Sequence, residues 1–129
     1  MTPTVDGLPS FGPSKRMLGV NRDETTAPDG TFGPGTGGMS VAPDSPWNVP
    51  NHRRPQGMGR GSTGHCRDWM FVINMVALAD ADLGVRLDPE HPEIHAFVEP
   101  ARRLAIEEYA IALGATQTKW RCEWPPASA

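Results

Sequence analysis

Lysine is nearly absent from this chain of 129 residues: Lys15 and Lys119 are its only examples among twelve basic residues. Positive charge is therefore carried by arginine, whose planar fork suits phosphate or carboxylate. Long apolar runs are also missing. No stretch approaches the roughly 20 residues that span a bilayer, and the N-terminus has no apolar segment of the secretory type. The expectation is a soluble, cytoplasmic protein that is not exported by the ordinary signal route. Cysteine is scarce. Cys66 and Cys122 make no disulfide framework, and read as two free thiols in a reducing compartment, with one disulfide as the alternative. The net charge of −3 weighs against nucleic acid or a membrane surface as the main partner.

Proline and glycine are abundant, fourteen of each, and they crowd into the first half. The length is that of one domain with one modest core. A single domain over 1–129 is expected, with 1–30 loosely structured. Its core should come mainly from residues 68–120, draped by long loops from 1–64. A long Pro/Gly segment from Pro43 to Gly64 suggests a functional or partner-binding surface.

Along the chain, Lys15–Val20 is a short strand candidate, and "PDG" at 28–30 signals a turn. "DWMFVIN" (68–74) reads as a strand buried on both faces, and Val76–Leu78 as a turn of helix. "LGVRLDP" (83–89) alternates apolar and polar residues, as a strand does, and "IHAFVEPA" (94–101) is a further strand stopped by Pro100. Then Leu104, Ala105, Glu108, Tyr109, Ala112 and Leu113 form a stripe at helical spacing, with Gly114 as the stop. Arg102 and Arg103 read as a solvated helix start whose charge opposes the macrodipole. These elements predict an α+β domain: a small split, twisted, mostly antiparallel β-sheet with long Pro/Gly-rich loops and one C-terminal helix.

Three constellations could carry chemistry. His91 and His95, with His65 and Cys66, suggest a metal site. Pro92 breaks the helical geometry that an H-x-x-x-H pair needs, and strand geometry sets the two histidines about 13 Å apart. No metal is expected. "GPGTGG" (33–38) resembles a phosphate-binding loop, but no Gly-Lys-Ser/Thr follows it and the P-loop reading is rejected. The third constellation joins Gly35, Thr36, Gly37, Gly38 and Ser40 to an arginine cluster (Arg53, Arg54, Arg60, Arg67) and to His95 and Glu99. Glycines allow close backbone approach to a ligand, a serine hydroxyl can bond a sugar, and arginines can hold a pyrophosphate. His95, Phe97 and Glu99 share one strand face. That face either is the solvated side of an edge strand or lines a cleft. In a cleft, Glu99 beside Phe97 would serve as acid/base or stabilise a developing cation.

The order of "TGGMSV" (36–41), "FVI" (71–73), "LGVRLD" (83–88), "HAFVEPARRL" (95–104), a helix and Trp120 resembles the type VI secretion exported effector-two toxins. These are interbacterial toxins with an ADP-ribosyltransferase-like fold. The resemblance spans about residues 30–120. It implies a split sheet that clamps NAD, attack on the nicotinamide–ribose bond, and transfer of ADP-ribose to a target or to water. The family's loop hydroxyl falls on Ser40, its neighbouring hydroxyl on Met39, and its strand histidine on His95. Glu99 falls where the family does not uniformly carry an acid; transferases of the broader class use a glutamate to stabilise the ribosyl cation, which is the role implied for it. The first-strand basic residue has Arg16 as its first candidate and Arg22 as its second. The expected catalytic set is Glu99, His95 and Ser40. Thr36, Gly37, Gly38, Ser40, Arg16, Arg53 and Arg54 are expected to bind NAD, the cosubstrate. A toxin further implies a cognate immunity protein, and an intracellular target that the sequence does not name.

Two other functions remain open at this point. One is a non-enzymatic binding module that uses the Arg/Pro/Gly loop surface. The other is an RNA-directed enzyme, against which net acidity and the lack of aromatic platforms among the arginines count.

Overall fold

The computed structural model describes residues 2–3, 8–12, 14, 18, 29–50, 54, 58 and 70–124. The Lys15–Val20 strand expectation therefore lies, but for Leu18, outside the described residues, as does 68–69 of the "DWMFVIN" segment. Helices and antiparallel strands are mixed, so the α+β expectation holds. Strands β1 (Thr2–Pro3) and β2 (Pro9–Ser10) pair with each other. The central sheet joins β3 (Met39–Val41), β6 (Ala96–Pro100) and β5 (Leu83–Leu87) in that spatial order, antiparallel throughout. A third pair is formed by β4 (Met70–Val72) and β7 (Arg121–Trp124), with a register shift between Met70 and Phe71.

Among the described residues two α-helices are present: the C-terminal helix that was expected, and a six-residue helix where Val76–Leu78 reads as a single helical turn. The short helix α1 (Met75–Asp80) begins at Asn74, whose Oδ1 accepts from Val76 N at 2.7 Å. This cap satisfies an otherwise orphaned amide. Helix α2 (Ile106–Gly114) follows the predicted stripe, burying Tyr109 and Leu113 and closing at Gly114. Its N-cap is Ala105, which has no side-chain acceptor, but Glu108 Oε1 reaches back to Ala105 N at 3.4 Å. Glu107 and Glu108 also place negative charge in the first turn, where the macrodipole favours it. Arg102 and Arg103 lie before the helix rather than in its first turn. They pair with Asp82 (3.2 Å) and Asp29 (3.9 Å). Among the described residues, no helix is long and apolar enough to cross a membrane.

The core differs from expectation in its membership. Leu18, Phe32 and Met39 from the Pro/Gly-rich half join Leu78, Leu83, Val98, Tyr109, Leu113 and Trp120 in one buried cluster. Residue 32 is drawn in by a two-way bridge: Phe32 N donates to Leu104 O at 2.8 Å and Leu104 N to Phe32 O at 2.7 Å. The Phe32 and Tyr109 rings lie 5.0 Å apart. Burial of each such side chain contributes about 1.5 to 3 kcal/mol, enough to fold a segment whose composition alone reads as loop. Strand β6 is buried along its whole length and pairs on both sides. It is the centre of the sheet, which removes the edge-strand reading. Across β3, β6 and β5, Met39, Val98 and Val85 point to α2 and the core. Ser40, Phe97 and Arg86 form the next row, on the opposite face.

Candidate functional site

Period-two alternation and the observed register build the site. Phe97 stands at the centre of the face, with Ser40 across from it on β3 and Arg86 across from it on β5. Two residues along β6 in either direction, on the same face, lie His95 and Glu99. The ladder runs one step past β5, where Asp88 N donates to His95 O at 3.0 Å. Asp88 and His95 are therefore neighbours on that same face. The β3–β6 pairing thus puts Ser40 beside the His95–Glu99 stretch on one face of the sheet.

The glycine loop that enters β3 is a cradle, and it holds one of the protein's own side chains. Gly35 and Gly37 take positive φ angles of 86° and 85°, which a residue with a Cβ rarely adopts. This backbone turns their amides toward Glu99. Gly35 N donates to Glu99 Oε1 at 2.9 Å and Gly37 N to Oε2 at 3.0 Å. Arg86 Nε donates to Oε1 at 3.1 Å. Glu99 is only 5% exposed, and both of its oxygens are engaged. In this structure it anchors the loop and faces no open space.

Thr36 braces the same loop. Its Oγ1 accepts from Gly33 N at 3.0 Å, and its one proton is shared between the carbonyls of Gly33 and Gly37 at 2.8 and 2.9 Å. Gly38 lies against Val98 and Tyr109, where a Cβ would stand 2.3 Å from Val98 O and 2.7 Å from the tyrosine oxygen. The Tyr109 hydroxyl donates to Val98 O and accepts from Met39 N at 3.0 Å. Burial pushes the pKa of that phenol well above its ordinary value, and nearby Glu99 adds to the effect.

The remaining groups of the face are more open. Arg86 lies over Phe97, with its guanidinium carbon 4.8 Å from the ring centroid, a cation–π contact. The His95 ring meets Phe97 edge-on, with centroids 4.8 Å apart. His95 Nδ1 lies 2.8 Å from Asp88 Oδ2. Asp88 in turn accepts from Glu90 N at 2.9 Å through Oδ1. The hydrogen bond to His95, followed by that from Glu90 N, holds the Asp88 carboxyl below its ordinary range. Ser40 is half-buried, and among the described residues its hydroxyl has no hydrogen-bond partner.

Arg54 turns back onto its own loop. It donates through Nε to Val49 O and through Nη2 to Trp47 O, both at 2.8 Å, and it stacks over Trp47. Its donors thus close the turn at Pro46–Asn48. Arg16 and Arg53, the other two arginines expected to bind NAD, lie outside the described residues, as do Arg22, Arg60, Arg67, His65 and Cys66. Among the described residues, no group of three or more His, Cys, Asp or Glu side chains could hold a metal ion. A shallow groove of about 260 Å³ runs beside α2, between Asp82, Arg102, Glu108 and Ile111, and none of the expected site residues lines it.

Arg86 and Asp88 were not singled out from the sequence. Their signal was present in "LGVRLD", whose alternation puts both on one face of β5 and its extension. Set against known protein families, curated proteins and solved structures, the chain has no significant match to any of them.

Proposed function

We propose that this chain is a toxin domain of the ADP-ribosyltransferase type. It binds NAD on the face of the central sheet that carries Ser40, Phe97 and His95, and passes ADP-ribose to an intracellular target or to water. One observation carries the reading. The β3–β6 pairing sets Ser40 across from Phe97 with His95 two residues away on the same face, so the loop hydroxyl and the strand histidine of the resemblance share one face of the sheet. Ser40 offers an uncommitted hydroxyl for a ribose, and His95 a half-exposed imidazole. Under this reading Glu99 acts by holding the glycine loop and Arg86 in place. A cognate immunity protein would block this face.

The reading is tested by titrating NAD against the purified protein while following its melting temperature, and by expressing wild type, Ser40→Ala and His95→Ala in a bacterial host. NAD should raise the melting temperature of the wild type, and both substitutions should relieve toxicity. A harmless wild type, or variants as toxic as the wild type, overturns the proposal.

A further inference from the structure

We propose that Asp88 and His95 form an acid–base dyad in which Nε2 of His95 accepts the proton of the attacking hydroxyl; this rests on the NAD-cleaving reading above. The geometry is specific to one ring nitrogen. His95 Nδ1 lies 2.8 Å from Asp88 Oδ2, and an ionised carboxylate can only accept, so the neutral imidazole carries its proton on Nδ1. Asp88 is itself fixed, because Oδ1 accepts from Glu90 N at 2.9 Å and Asp88 N is tied to His95 O at 3.0 Å. The Phe97 edge restrains the ring from a second side. The Nε2 lone pair then has no hydrogen-bond partner among the described residues. It belongs to a side chain 30% exposed, on the face that also presents Ser40 and Arg86.

The step balances as follows. The bond between ribose and nicotinamide breaks, and its electron pair leaves with nicotinamide. The oxygen of water, or of a target hydroxyl, forms the new bond to the ribose carbon. Its proton passes to Nε2, and the resulting imidazolium lies against the Asp88 carboxylate before giving the proton to solvent. His95 is the catalytic residue of this step. Asp88 is a positioning residue, which sets the tautomer and stabilises the charged ring.

Asp88→Asn is the diagnostic variant. Its Oδ1 can still accept from Glu90 N while its Nδ2 donates to His95 Nδ1, which forces the proton of the neutral ring onto Nε2. The shape of the site is kept and the base is lost. Imidazole nitrogen NMR on wild type and Asp88→Asn, at a pH where histidine is neutral, should show His95 protonated on Nδ1 in the first and on Nε2 in the second. NAD hydrolysis followed on the same samples should fall by about a hundredfold to ten-thousandfold in kcat, with KM nearly unchanged.

A wild-type His95 protonated on Nε2 overturns the dyad, whatever happens to NAD. Hydrolysis by Asp88→Asn at the wild-type kcat overturns the proton role. A wild type with the Nδ1–H tautomer and no NAD cleavage overturns the NAD reading, and with it this use of the base, while the pair itself stands. If Asp88→Asn fails to fold, the wild-type tautomer still decides the first point, and His95→Gln takes its place in the kinetic comparison: retained kcat overturns the proton role.

Discussion

Gly38 and Val98 approach so closely that a Cβ on residue 38 would stand 2.3 Å from the Val98 carbonyl oxygen. The obstructing atom is backbone in the central strand, and it cannot swing aside as the end of a side chain would. Gly38→Ala is expected to cost about 3 kcal/mol, read as a lower urea midpoint at an unchanged slope. Gly84→Ala is the control. An added Cβ there meets nothing within 4 Å, and stability should change by no more than about 0.5 kcal/mol.

Glu99→Gln keeps the shape of the anchor and removes its charge. One loop amide would then face an NH₂ group, donor against donor, and Arg86 would lose its carboxylate. The expected loss is about 3 kcal/mol of stability. Hydrogen exchange gives a local readout: the Gly35 and Gly37 amides should exchange far faster in the variant than in the wild type. Unchanged protection would show that Glu99 does not hold the loop.

Tyr109→Phe removes a single oxygen that serves two buried backbone groups, Val98 O and Met39 N. The phenyl ring still packs against Phe32, so the hydroxyl alone is tested. About 2 kcal/mol should be lost, measured by chemical denaturation. The tyrosine should also resist ionisation in the folded protein at pH values that ionise a free phenol, because burial raises its pKa. An ultraviolet titration of this single tyrosine checks that directly.

The Asp88 carboxyl is held below its ordinary value of 3.8, chiefly by His95. A group whose folded-state pKa is depressed stabilises the fold above its unfolded value and loses that contribution as pH falls through the folded one. Stability contributed by Asp88 should therefore be complete above about pH 4 and decline below it. Urea midpoints followed down this acid limb should fall less steeply in Asp88→Asn than in the wild type.

Much of the fold was legible because its period is local. The strands read over 83–89 and 94–101 appear, trimmed at their ends, as Leu83–Leu87 and Ala96–Pro100, and the helical stripe appears as a helix that begins at Ile106, past Leu104 and Ala105. Strand β3 is different. Three residues are too few to display a period, and their burial depends on Val98 and Tyr109, far along the chain. The N-terminal contribution to the core was hidden for the same reason, since Phe32 is placed by Leu104 and not by its neighbours.

The site shows the same division. His95 and Glu99 stood out as polar residues flanking an aromatic, and the face they share is there. What each one does was not legible. Glu99 looked available for chemistry because two of its three partners are glycine amides, which carry no side chain and leave no mark on a charge pattern. Arg54 looked available for phosphate, yet it is taken up by carbonyls five and seven residues away on its own loop.

The Glu99 anchor also bears on how the chain is made. Gly35 and Gly37 precede their partner by 64 and 62 residues, and Met39 precedes the tyrosine that receives its amide by 70. A ribosome delivers the loop long before it delivers what shapes it. A nascent chain that stops short of Glu99 contains Ser40 and the whole glycine loop but no assembled face. The face is assembled only when β6 and α2 emerge and close on a segment made some sixty to seventy residues before them.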